Sequence, residues 1–194
     1  LSVSYPPRHL WGSVRYVIGT AMNETDGPFS LPPDSFYLTD EWGPARGDAR
    51  HRVSASVNTD LPGNLRLNAE FQSQSATPYN VTLGTDSNGD GIFNERPTGI
   101  TRNSVRGEGT ANLDVMMTWR IGLSAKQTAS AAASVHQTKG GEDPFRIELF
   151  VRATNALNFV NPQSYSGVLT SPFFGLPTSA AAARRVTLGT RVWF

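Results

Sequence analysis

The last ten residues alternate between two faces, one of them largely apolar. Val186, Leu188, Thr190, Val192 and Phe194 fall on one side of that alternation, and Arg185, Thr187, Gly189, Arg191 and Trp193 on the other. A period of two specifies a β-strand, because successive side chains leave a strand on opposite faces. A strand that runs to a terminal aromatic contrasts with the frayed, polar end usual in soluble chains.

Five further segments repeat the pattern: residues 10–18, 52–58, 65–72, 111–121 and 145–153. Residues 1–5 are a candidate end of a seventh strand. Several of these runs are about 9–12 residues long, which is what a tilted strand needs to cross a bilayer. The links between them keep a rhythm. Residues 5–9 are short, 20–50 long, 60–64 a tight turn around Leu61, Pro62 and Gly63, 75–109 long, 122–144 intermediate and 155–183 long. Long links therefore sit at every second position, on one side of the sheet, as the outer loops of membrane barrels do. With Phe194 at the periplasmic end, all three long links are extracellular. Phe145, Trp119 and Phe194 then mark the periplasmic rim, and Phe71 and Tyr79 the outer one, in the places of two aromatic girdles. The predicted fold class is all-β: an antiparallel up-and-down transmembrane β-barrel segment of six to seven strands. The barrel is incomplete, since bacterial barrels have at least eight. The alternative is a soluble secreted β-sandwich that binds calcium or carbohydrate through its loops, although links of about 30 residues fit that fold poorly.

Composition removes other classes. The net charge of +1 gives no electrostatic argument for nucleic acid. There is no cysteine, so no disulfide framework, thiol catalyst or thiolate zinc site. His9, His51 and His136 lack ligand spacing. No apolar run of about 18 residues is present, hence no transmembrane helix. The first residue is Leu1 and no signal peptide is recognisable, so a piece of a longer chain, residues 1–194 being its C-terminal part, is expected. No serine lies in a nucleophile elbow. The carboxylate pairs Asp40/Glu41 and Glu142/Asp143 sit in loops without a matched partner. The chain is not expected to be an enzyme.

One loop carries metal-ligand spacing. Asp86, Asn88 and Asp90 place oxygens at alternate positions before Gly91, as at the start of a calcium loop. Pro97 stands where the bidentate acid belongs, and Glu95 comes two residues early. Structural calcium on Asp86, Asn88, Asp90 and Glu95 competes with an Asx-rich turn satisfied by its own backbone. No other cofactor is expected. The polar sides of the strands carry Arg15, Arg52, Arg66, Glu70, Asp114, Arg120, Arg146, Glu148, Arg152, Arg185 and Arg191. They read as lumen-facing charges, either a wet, salt-bridged wall or a surface that holds a plug or guides a solute. The aromatics of the Pro-rich loops 26–44 and 171–177 are expected to pack against their neighbours. Residues 124–135, rich in Ala and Ser, form a short helix or a lengthened turn.

Several motifs occur in an order that resembles a known family. They are Trp42, Gly43 and Pro44; Asp48 through Arg52; Leu61, Pro62 and Gly63; Pro78, Tyr79 and Asn80 ahead of the 86–97 loop; and Arg102, Asn103 and Ser104. Leu113 and Asp114, Asn155 with Asn158, Phe173 through Gly175, Arg184 through Val186, and Phe194 complete the series. Over about residues 40–194 the chain resembles the C-terminal barrel portion of Oar-like TonB-dependent outer-membrane receptors, which often carry a carboxypeptidase-regulatory-like domain. It departs from the family at Glu95, where Asp is usual, and at Thr154, where Phe usually precedes the Asn. The resemblance implies a Gram-negative outer-membrane location and a barrel of about 22 strands. An upstream plug and a TonB-contacting segment would lie outside this stretch. It also implies energised uptake of a large solute, or surface adhesion and secretion. Val192 and Phe194 would carry the signal read by the barrel-assembly machinery.

Overall fold

A computed structural model describes residues 10–122 and 146–193. The expectations for residues 1–5, 124–135, Phe145 and Phe194 lie outside the described residues.

Twelve strands follow in order: β1 (Leu10–Ile18), β2 (Met22–Asn23), β3 (Gly43–Pro44), β4 (His51–Leu61), β5 (Leu65–Gln74), β6 (Pro78–Tyr79), β7 (Val105–Arg106), β8 (Thr110–Gly122), β9 (Arg146–Thr154), β10 (Pro162–Tyr165), β11 (Pro177–Ala180) and β12 (Arg185–Trp193). The six long ones are the six segments that the alternation identifies. They form one antiparallel sheet in the order β1-β4-β5-β8-β9-β12. Each long strand thus lies beside the next long strand of the chain, an up-and-down meander. The short strands pair among themselves inside the long links, as β2–β3, β6–β7 and β10–β11. A single 3-10 turn, Leu38–Glu41, lies in the first link.

The register keeps like with like. Val57 pairs with Ala69, Ala69 with Val115, Val115 with Ala153 and Ala153 with Val186. One residue along, Ser56 pairs with Glu70 and Glu70 with Asp114. A slip by one residue would turn every apolar side chain to the charged face, so the pattern itself specifies the register. The β4–β5 turn is tight because Gly63 (φ 80°) and Asn64 (φ 62°) both adopt the left-handed conformation. The Asn64 carbonyl then accepts the Arg120 N–H at 3.0 Å, which ties the turn to β8.

Among the described residues the sheet does not cover its apolar face. Val14, Ile18, Val57, Met117, Val186 and Leu188 share the apolar face and are exposed, Leu188 by 74%. Among the described residues the buried hydrophobic ones are Ala49 and Val81, both in the links. The buried polar residues lie mostly in the links too: Glu41, Asp48, Glu95, Arg102, Asn103, Asn155 and Asn161. The molecule is therefore all-β and antiparallel, with one bare apolar face and a polar roof of loops at one end. Among the described residues the sheet is open, since β1 and β12 each have a neighbour there on one side only.

Candidate functional site

The polar face of the sheet is the wall of the site. Each charge that the alternation assigned to it is placed there by the register. Two directly opposed pairs join as ion pairs: Arg66–Asp60 at 2.6 Å and Arg120–Glu148 at 3.1 Å, with Arg146 at 3.7 Å from the same carboxylate. Three guanidinium groups also lie over rings, Arg66 over Trp11 at 5.6 Å, Arg146 over Trp193 at 4.4 Å and Arg191 over Phe150 at 5.0 Å. The ladder of opposite charges is incomplete. Glu70 stands opposite Asp114, an arrangement that repels. Amides offset it: Gln72 Nε2 donates to Glu70 at 2.9 Å, and Asn112 Nδ2 and the Asn155 N–H donate to Asp114 at 2.8 and 3.0 Å. Next to these carboxylates the wall opens into a cleft of about 790 Å³, whose lining includes Arg15, Arg52, Gln72 and Asp114 from the sheet and Asn161 and Tyr165 from the third link.

The roof is held by a network of buried arginines and carboxylates that joins the first long link to the second. Arg102, almost fully buried, pairs with Asp26 at 2.6 Å, donates to the Glu41 carbonyl at 2.8 Å and grips Asn23 through both its carbonyl and its side-chain oxygen. Asn103 donates to Asp26 at 2.9 Å and to the Pro44 carbonyl at 3.0 Å. Arg106 holds the Asp48 carboxylate and donates to the carbonyls of Asp48 (2.6 Å) and Ala76 (2.9 Å). Burial pushes the Asp48 carboxyl up, but the Ala21 N–H, Arg106 and the charge of Arg50 together hold it below the usual carboxylate range. Glu41, expected to lack a partner, is instead buried against Arg96 at 2.5 Å, with Arg102 at 3.9 Å. That partner lies in a different link, which is why the local sequence gives no sign of it.

The third link completes the roof. Tyr165 stacks on Tyr79 with centroids 5.4 Å apart, and its hydroxyl accepts the Glu108 N–H at 2.9 Å. Burial and the neighbouring Tyr165 raise the Tyr79 hydroxyl above its ordinary value. Tyr79, expected in an outer girdle, is thus a packing residue of the roof. Asn161 accepts from the Ala111 N–H and donates to the Ala111 carbonyl, both at 2.8 Å, so it stands in for a strand partner at the start of β8. Asn155 and Asn158, both left-handed, close the two ends of the link on each other through Ala182 and Arg184.

Asp86, Asp90 and Glu95 are brought together. One oxygen from each lies within 4.8 Å of the others. Asn88, the fourth residue of the expected set, is tied to Asp90 by its side-chain amide at 3.1 Å. The turn satisfies much of itself, as the competing reading expects: Asp86 accepts the N–H groups of Gly89, Asp90 and Gly91 at 2.7–3.2 Å. Glu95 is buried, and its Oε1 accepts from Ser87 at 2.9 Å and Asn88 at 3.4 Å.

No family model, curated protein or solved structure matches the chain. The site is therefore read from its own geometry. The Pro-rich loop aromatics do not pack as expected. Phe29 and Phe36 are each 94% exposed, and Tyr37, Trp42, Phe173 and Phe174 also face solvent. The links bury polar networks instead, which leaves these rings at the rim. Sequence reading missed the pairs formed by Arg96, Arg102 and Arg106 with Glu41, Asp26 and Asp48. Their signal was available as three cations and three acids, all outside any alternating segment.

Proposed function

We propose that this chain forms part of the wall and the outer roof of an outer-membrane β-barrel of the Oar-like TonB-dependent receptor type. One observation carries the reading. The meander has a continuous apolar face that nothing among the described residues covers, set back to back with a face of paired and capped charges. Hydrocarbon accommodates the first face, and a water-filled or plugged lumen the second. A soluble sandwich would need a second layer on the apolar side. No helix among the described residues is long and apolar enough to cross a membrane, and barrels cross with strands instead.

The dimensions suit the proposal. On the apolar face of β8, Leu113, which pairs with Phe71, and Trp119 are six residues apart. At about 3.3 Å per residue that is about 20 Å along the strand, or about 15 Å of height at a tilt of about 35–45°, which fits within a lipid-facing band about 25 Å tall. The turn end would lie in the periplasm and the roof outside. Open edges in lipid leave unpaired backbone groups that cost several kcal/mol each. Further strands therefore close the wall beside β1 and β12, and a plug from the same receptor occupies the lumen. TonB acts through that part. Val192, on the apolar face of edge strand β12, and Phe194 supply the signal for the assembly machinery. The function is capture or passage of a solute at the roof and lumen, without catalysis.

Membrane fractionation tests this. The protein should sediment with outer membranes, resist carbonate washing, need detergent for extraction and migrate differently on gels when heated. A monodisperse protein in detergent-free buffer would sink the proposal and restore the secreted sandwich.

A further inference from the structure

The acidic turn of the second link has a feature that its internal hydrogen bonds do not explain. Glu95 Oε2 is buried and has no hydrogen-bond partner. A buried, unpaired carboxylate oxygen forfeits its hydration and gains nothing in return unless another group neutralises it. Among the described residues, no arginine or lysine forms an ion pair with Asp86, Asp90 or Glu95; the adjacent Arg96 is committed to Glu41. Three carboxylates thus converge within 4.8 Å with no ion-pair partner among the described residues, and one of them is buried. The donors are all oxygens, with the Asn88 side chain beside them. This is a donor set for a hard divalent cation. Several carboxylates on one turn suit the larger, geometrically tolerant calcium ion better than magnesium, which demands near-ideal octahedral geometry and keeps most of its waters.

We propose that Asp86, Asp90 and Glu95, assisted by Asn88, bind one calcium ion that fastens the second outer link to the first. The turn already touches the first link at two points, through Asn88 Nδ2 to the Pro33 carbonyl at 2.9 Å and Asn94 Nδ2 to the Leu31 carbonyl at 3.0 Å. Those two carbonyls belong to the segment that presents Phe29, Phe36 and Tyr37. The ion therefore governs how firmly the exposed aromatic rim is held. This inference rests on the cluster alone and does not depend on what covers the apolar face of the sheet.

Calorimetric titration of the folded, chelator-treated protein with calcium chloride tests it, in whichever detergent or buffer keeps the protein monodisperse. One site should titrate, and magnesium should compete weakly. Glu95→Gln keeps an oxygen to accept the Ser87 N–H and so preserves the turn, yet should weaken binding about tenfold or more through the lost charge. The double variant Asp86→Asn/Asp90→Asn should abolish it, while Glu24→Gln, elsewhere in the roof, should bind as the parent does. Chymotrypsin gives an independent readout: calcium should slow cleavage at Phe29, Phe36 and Phe93 in the parent and not in the double variant. Absence of calcium uptake by the parent overturns the proposal, as does uptake that both cluster variants retain. Either result leaves the fractionation outcome unaffected, so the two readings fail separately.

Discussion

Arg102 connects more of the roof than any other single side chain described. It reaches Asn23, Asp26 and Glu41 from the far side of the sheet's loop end, and it is 3% exposed. Removing one partner from a buried ionic network leaves the other charges stranded, which typically costs about 3–5 kcal/mol. Arg102→Ala should therefore open the roof by that amount, read as faster hydrogen exchange at the Ala45 and Asp48 amides. Arg102→Lys should recover only part of the loss, because an ammonium cannot present the guanidinium's fork of donors. Asp48 gives the roof its pH dependence. Its folded pKa is depressed, so its contribution is complete above the ordinary carboxylate range and is lost as pH falls through the folded value. Acidification should loosen the Ala21–Asp48 contact in that low window, and Asp48→Asn should flatten the response. A roof whose stability rises as pH falls would contradict this.

At the scale of the strand, the two faces should tolerate charge unequally. Val115 lies on the apolar face of β8 between Ala69 and Ala153. An arginine there should cost about 2–4 kcal/mol in lipid, measured by reversible refolding into vesicles. Gln72→Arg on the charged face should stay within about 1 kcal/mol, because that face is wet and Glu70 lies beside it. Equal costs would mean that the apolar face does not meet hydrocarbon. The same asymmetry explains what the sequence revealed. Each long strand writes its two faces into consecutive residues, so β4, β5, β8, β9 and β12 and the charges they carry were legible one segment at a time. The roof was not. Arg102 and Asp26 are 76 residues apart, and no local period marks which acid an arginine in a Gly- and Pro-rich link will meet. The acidic turn was legible because its residues are near neighbours, whereas the isolation of Glu95 Oε2 required coordinates.

Taken whole, the molecule divides into a sheet whose stability depends on its surroundings and a roof stabilised from within. The roof's links bond to one another, through Arg102, Arg106, the Tyr79–Tyr165 stack and the Leu169 N–H to Thr82 carbonyl bond at 2.9 Å. Such a unit should open cooperatively. The amides of Ala45, Thr82 and Leu169, one from each link, should exchange with a shared opening free energy, and three unrelated values would refute a single roof. Gly43 adds a steric constraint: a β-carbon there would collide with the Arg102 carbonyl oxygen. This interdependence bears on how such surfaces diversify. A protein whose long links were independent could exchange them one at a time by recombination. Here a transplanted second link would arrive without its Asp26 and Glu41, so viable exchange has to carry the links together, and single changes are confined to the bare rim around Phe29 and Phe36.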